Sequence, residues 1–371
     1  MTLNRREALG GAVGALGALG GVAHAADAKL PSFRFALEAV PVKEYDGGSA
    51  REATVVNFPV SKNIAGVSMR LKPGGLRELH WHTNAAEWSY VVSGRCRITI
   101  YDPQGRSQTT DVGPGDVWYF PRGFGHSIQG IGDVECHFIL VFDNGAFSEF
   151  ATFSITDWLA HTPPEVLAKN LGLPAADFAK FPKKEVYIAR GPVPPPLPVD
   201  PPPGSLRSSA LTHRYQLLAQ APRTYAGGDI RVVSSREFPI STTMTGALLN
   251  LKPGGLRELH WHPNADEWQY YIGGKARMTV FASSGRAETA EFGPGDVGYV
   301  PQGYGHYIEN IGPQECRVLL VLNSGVYEDI SLSGWLASNP RELVATNFGV
   351  PKALTERLPP ETVFIAAKGK D

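Results

Sequence analysis

The segment Leu71–His82 reads LKPGGLRELHWH, and Leu251–His262 repeats the same twelve residues at an offset of 180. The offset holds without a gap from Gly47-Gly48 (Gly227-Gly228), through Gly113–Asp116 and His126 (Gly293–Asp296 and His306), to Gly145 (Gly325). So long a register exceeds any solenoid repeat and marks two whole domains. Within each copy, short β-branched and aromatic runs alternate with Gly and Pro turns. They are Arg97–Tyr101, Val117–Phe120 and His137–Phe142, then Arg277–Phe281, Val297–Val300 and Arg317–Leu322. Turn signals about every eight to twelve residues predict an all-β sandwich or barrel. Helical patterning occurs only near the end of each copy, around Thr156–Leu171 and Ser333–Phe348. Short helices are expected there, closing a barrel or packing on a neighbour.

Composition agrees with this division. A chain of 371 residues fits two domains of roughly 150–180 residues. Between the copies, Gly191–Ser205 holds eight prolines, which can neither pair in a sheet nor form a helix and make a stiff spacer. The expected boundaries are therefore residues 26–190 for the first domain, 191–205 for the linker and 206–371 for the second domain. Hydrophobic residues make up 43% and the formal net charge is −1. The chain can fill a core, and it lacks the basic surplus of a protein that binds nucleic acid or an anionic membrane. Three cysteines are too few for a disulfide framework.

The N-terminus reads as a targeting segment. Arg5-Arg6 precedes an uncharged run, Ala8–Ala23, six of whose 16 residues are Gly, and then Ala23-His24-Ala25. This order predicts an export signal over residues 1–25, of the twin-arginine type, and hence a periplasmic or secreted protein. The run is too short to span a bilayer.

The repeated motif also carries chemistry. His80 and His82 are two residues apart on a predicted strand, so both imidazoles face one way. Glu87 follows, and His126 comes just past a Pro-Arg-Gly turn. Three neutral imidazoles and a carboxylate make a ligand set for a divalent transition metal, leaving open positions in an octahedron. The second copy repeats the spacing with His260, His262, Glu267 and His306. Six of the ten histidines thus fall into two equivalent sets, predicting two metal ions per chain. His137, His161 and His213 have no such partners and read as structural. Trp81 and Trp261 alternate with the ligands and read as core packing.

GGLRELHWHTNAAEWSYVVSG (residues 74–94) and GDVWYFPRGFGH (residues 115–126) resemble the two signature motifs of the cupin superfamily. That likeness implies an all-β fold of two tandem cupin barrels (double-stranded β-helix, jelly-roll), with short C-terminal helices on each domain. RELHWH, EWQYYIGGKARMTVFAS, GDVGYVP, FSE and TDWLAHTP are similar in particular to the bicupin oxalate decarboxylase family. The resemblance implies Mn(2+) in each domain, dioxygen as co-catalyst, oxalate as substrate, formate and carbon dioxide as products, and a trimer or hexamer. It further implies that Arg77 and Arg257 contact the substrate carboxylate, as a planar guanidinium fork can. Each lies three residues before the first histidine of its set, on the wrong face of a flat strand. A bulge or twist is required to turn them inward.

The two copies differ where the family places its lid. From Gly145 to Trp158 is 13 residues, but from Gly325 to Trp335 is 10. The extra residues fall where Ser148–Thr152 faces Glu328-Asp329, and they bring Glu149, which resembles the family's lid glutamate, the proton donor that turns a formyl radical into formate. Phe150 and Ala151 depart from the family's Asn and Ser. Leu320 stands where the family often has a glutamate near the second metal, and Glu328 lies too far downstream to replace it. Catalysis is therefore expected mainly at the first site, with a structural or electron-transfer role for the second. Two other readings remain open: an oxalate oxidase yielding peroxide, and a non-catalytic storage bicupin.

Overall fold

In a computed structural model, described for residues 30–197 and 212–369, the strand Gly75–Trp81 carries the repeated motif in the first domain. It pairs with Gly125–Ile131 on one side and with the short strands Phe153–Ser154 and Ile188–Arg190 on the other. Arg95–Tyr101 and Ser107–Val112 complete this sheet. A second antiparallel sheet runs in the order Asp116–Phe120, Glu87–Ser93, Cys136–Phe142, Ala65–Leu71, Gly48–Ala53, Lys43–Tyr45. The sheets face one another across a core that includes Val67, Met69, Ile98, Ile100, Ile128, Phe138 and Leu140. Alternation along each strand sends these residues inward. The second domain repeats the pair of sheets around Leu249, Tyr271, Met278, Ile308 and Leu320. Among the described residues each domain is thus a two-sheet jelly roll, not a ring of continuously paired strands.

The predicted helical stretches each resolve into separate short helices: Ile155–Ala160 and Pro164–Leu171, then Leu332–Ala337 and Arg341–Phe348, with a further turn at Lys352–Thr355. The break comes where the chain reaches Pro163-Pro164 and Pro340, because proline cannot continue a helix but suits its first turn. Among the described residues no helix is long and apolar enough to cross a membrane. The expected export signal, and residues 198–205 of the linker, lie outside the described residues.

The halves are joined more closely than two beads on a string. Arg34–Ala36, from the start of the first half, pairs with Asp296–Val300 of the second. Arg214–Gln216 reciprocally pairs with Asp116–Phe120 of the first. Arg34 and Arg214 each bind the aspartate at the start of the strand they join, at 2.8 Å to Asp296 and Asp116. A third apolar cluster lies between the domains and draws on both, including Phe58, Trp88, Tyr90, Phe238, Trp268 and Tyr270. Each indole lies against a glycine of the other domain. A Cβ on Gly66 would come within 2.1 Å of the Trp268 ring, and one on Gly246 within 2.0 Å of Trp88.

Candidate active site and metal centres

The bulge that the spacing of Arg77 requires is present. His80 lies opposite His126, but Arg77 lies opposite Ile128, so three steps on one strand match two on the other. The same irregularity separates Arg257 from His260. An extra residue in one strand reverses its alternation. Arg77 and Glu78 are therefore both buried, Leu79 is exposed and His80 is buried again. The bulge lets an arginine and a histidine three residues apart share the interior.

The first ligand set bridges the two sheets. His80 and His126 come from adjacent strands of one sheet, His82 follows at the strand end, and Glu87 begins a strand of the other. One donor atom from each lies within 4.8 Å of the others, and all four residues are buried. The Nδ1 of His80 faces the Glu78 carbonyl at 2.6 Å, and that of His126 faces the Phe124 carbonyl at 2.9 Å. A carbonyl only accepts, so Nδ1 carries the proton and Nε2 presents a lone pair to the centre. Burial, reinforced by Arg77 beside His80 and His126 beside His82, holds both imidazoles well below their ordinary range and keeps them neutral.

The Nε2 atoms of His80, His82 and His126 and Oε2 of Glu87 are buried without a hydrogen-bond partner. Four convergent lone-pair donors are costly to leave unpaired, and a divalent cation satisfies all of them. In the second set, His260, His262, Glu267 and His306 are equally close and buried. There Nδ1 of His262 faces the Glu328 carbonyl at 2.7 Å, while its Nε2 lies 2.8 Å from Glu267 Oε2. The donor chemistry of both sets fits a metal ion.

The carboxylate of each set is oriented from behind, by different means. Trp118 Nε1 donates to Glu87 at 2.7 Å. In the second domain that position is Gly298, and Gln269 fills the space and donates to Glu267 at 2.7 Å.

Glu149 lies on a short 3-10 turn, Glu149–Ala151, capped by Ser148. Because Phe153 faces Trp81 as Ile330 faces Trp261, Thr152 corresponds to Asp329, and the three-residue insertion is this turn. The carboxyl of Glu149 is 1% exposed. Its Oε1 accepts from Arg77 Nε at 2.7 Å, and its Oε2 stands 3.7 Å from His82 Nε2. Burial pushes this carboxyl up to about 7, although Arg77 pulls the other way. Arg77 also donates to Thr152 Oγ1 at 2.6 Å and stacks 4.1 Å from the Tyr187 ring.

Arg257 is equally buried and stacks on Phe364 at 3.9 Å, but its Nη2 donates to the carboxylate of Asp329. Glu328 offers the site only its carbonyl, its side chain being exposed, and Leu320 is packed into the core. The pairing of Arg257 with Asp329 did not emerge from the sequence, although aligning the copies around the insertion places Asp329 opposite Thr152.

Trp81 corrects an expectation. It is only half-buried and makes an outward cluster with Phe153 and Trp158, ring centroids 5.5 and 5.6 Å away. Trp261 meets Trp335 in the same way at 5.6 Å. Alternation with the inward histidines places them on the outer face. His137 and His213 are structural as expected, facing Ser68 and the Tyr119 carbonyl.

The cupin family model matches residues 35–177 and 215–355, one match in each half. Oxalate decarboxylase OxdC of Bacillus subtilis (strain 168) is 49% identical over 85% of this chain and 81% of its own. The chain belongs to the bicupin oxalate decarboxylase family. A probable oxalate decarboxylase of Arthroderma benhamiae is 37% identical over 91% of this bicupin and 84% of its own length. A solved structure of Bacillus subtilis oxalate decarboxylase, described with Mn(II) centres, superposes with a TM-score of 0.88 at 45% identity. It covers 92% of this bicupin and 90% of that chain.

Proposed function

We propose that this bicupin converts oxalate into formate and carbon dioxide, mainly at the first site, with manganese and dioxygen as the family resemblance implies. The observation that carries the reading is the position of Glu149, a buried carboxyl set between Arg77 and the ligand set. His80, His82, Glu87 and His126 would hold the metal, which supplies Lewis-acid and redox chemistry when bound.

Arg77 offers an incoming anion a fixed, desolvated guanidinium held flat by the Tyr187 ring, a geometry suited to a carboxylate. As the carbon–carbon bond breaks and carbon dioxide leaves, Glu149 gives its proton to the carbon left behind and regains one from the next hydrogen oxalate. The net change is hydrogen oxalate to formate plus carbon dioxide. Burial of the acid keeps water from competing for the same position. At the second site Arg257 pairs with Asp329 as Arg77 pairs with Glu149, but there the inserted turn is missing and Leu320 stands where the family resemblance implies a glutamate. That supports a structural or electron-transfer role there.

The same reading includes export through the residues 1–25 signal and assembly as a trimer or hexamer. Half-exposed Leu79, Phe153 and Trp158, with Leu259 and Trp335 in the second domain, are apolar surface of the kind that subunit contacts cover. Light scattering tests the assembly.

The deciding experiment incubates manganese-loaded protein with oxalate and measures formate, carbon dioxide and peroxide. Formate equal to carbon dioxide supports the proposal. Peroxide without formate identifies an oxidase, and neither product identifies a binding protein.

A further inference from the structure

Two side chains outside the metal site grip the turn that carries Glu149. Both oxygens of Glu52, on the strand Gly48–Ala53, accept from Ser148 Oγ, at 2.9 and 3.1 Å, and Oε2 also accepts the Glu149 backbone N–H at 3.2 Å. Lys43, on the neighbouring strand, places Nζ 3.3 Å from the centroid of the Phe150 ring. That ring packs on Tyr187 at 5.6 Å, the residue on which Arg77 stacks. The second copy is the control: it has no turn, and Val232 stands at the position of Glu52.

We propose that Glu52 and Lys43 form a latch that sets how much of the time the Glu149 turn is closed over the first site. They are positioning residues, acting through Glu149 and not on the substrate. Phe150, standing where the family resemblance implies an Asn, supplies the aromatic face over which the Lys43 ammonium lies. The proposal rests on the reading of Glu149 as proton donor, but its test need not.

The test compares wild type with Lys43→Met, Phe150→Leu, Glu52→Gln and Lys43→Arg, all metal-loaded. Two readings are taken: hydrogen exchange of the amides around Glu149–Ala151, and kcat for formate. A surface cation–π contact is worth roughly two- to fivefold in population. Hydrogen bonds to a charged acceptor are worth roughly tenfold or more. Exchange should rise by about those factors in Lys43→Met and Glu52→Gln respectively, and kcat should fall in the same order but by smaller factors, because the closed population changes less than the open one. Metal content and melting temperature should stay as in wild type. Lys43→Arg should restore both readings, and Lys43→Met should add nothing to Phe150→Leu. Unchanged exchange in both Lys43→Met and Glu52→Gln would overturn the latch. If wild type makes no formate, the exchange measurement still decides the latch while the catalytic reading fails separately.

Discussion

Arg77 and Glu149 are joined by a 2.7 Å charge-assisted hydrogen bond in which both partners are almost wholly buried. The pair places an acid carried on an inserted turn against a cation fixed by a strand bulge. Loss of a positioned general acid costs about 10²–10⁴ in rate, or roughly 3–5 kcal/mol of barrier. Glu149→Gln keeps size and polarity but has no proton to give. Formate production should fall by that order with both metals bound, whereas Glu328→Gln, altering an exposed side chain, should do little. Near-normal formate from Glu149→Gln would move the proton donor elsewhere.

Metal content should be close to two per chain. The ligand sets share no residue, so His82→Ala and His262→Ala should each remove about half the metal, measured by elemental analysis after dialysis. A single ion in the saturated wild type would mean that one set is closed by its own hydrogen bonds.

Arg77→Lys should reduce turnover strongly while leaving metal content intact. An ammonium cannot reach Glu149, Thr152 and the Tyr187 face at once. Losing one charged hydrogen bond from the transition state lowers the rate roughly 10- to 150-fold. Unaltered turnover on oxalate would make Arg77 purely structural.

Gly66→Ala should destabilise the whole molecule and not only one domain, because the new methyl would enter the Trp268 ring. Overpacking of this kind costs about 1–3 kcal/mol. Calorimetry should show one lowered transition; a wild-type melting curve would mean that the interface yields freely.

Much of the site could be read from residues alone. A period of two on a strand assigns His80 and His82 to one face, and together with the inward Arg77 that the family resemblance implies, the same rule requires a bulge or twist. What stayed hidden depends on partners distant in the chain. Alternation states that Trp81 faces away from His80, but not whether core or surface lies on that side. The charge of Asp329 is visible in the sequence, but its commitment to Arg257 follows only from the pairing of Ile330 with Trp261. The carboxylate supports fall in the same class. Trp118 and Gln269 do the same work from different strands, so aligning the copies position by position conceals their equivalence.

The reciprocal strands also constrain how the chain is made. Asp116–Phe120 leaves the ribosome long before Arg214–Gln216, so the first half is completed only by a strand made after the proline segment, and Arg34–Ala36 waits longer still for Asp296–Val300. A translation product cut short in the proline segment carries Asp116–Phe120 as an open edge, its main-chain groups free to pair with a strand of another molecule. Duplication created two domains, and the crossed strands make each depend on a piece of chain from across the proline segment.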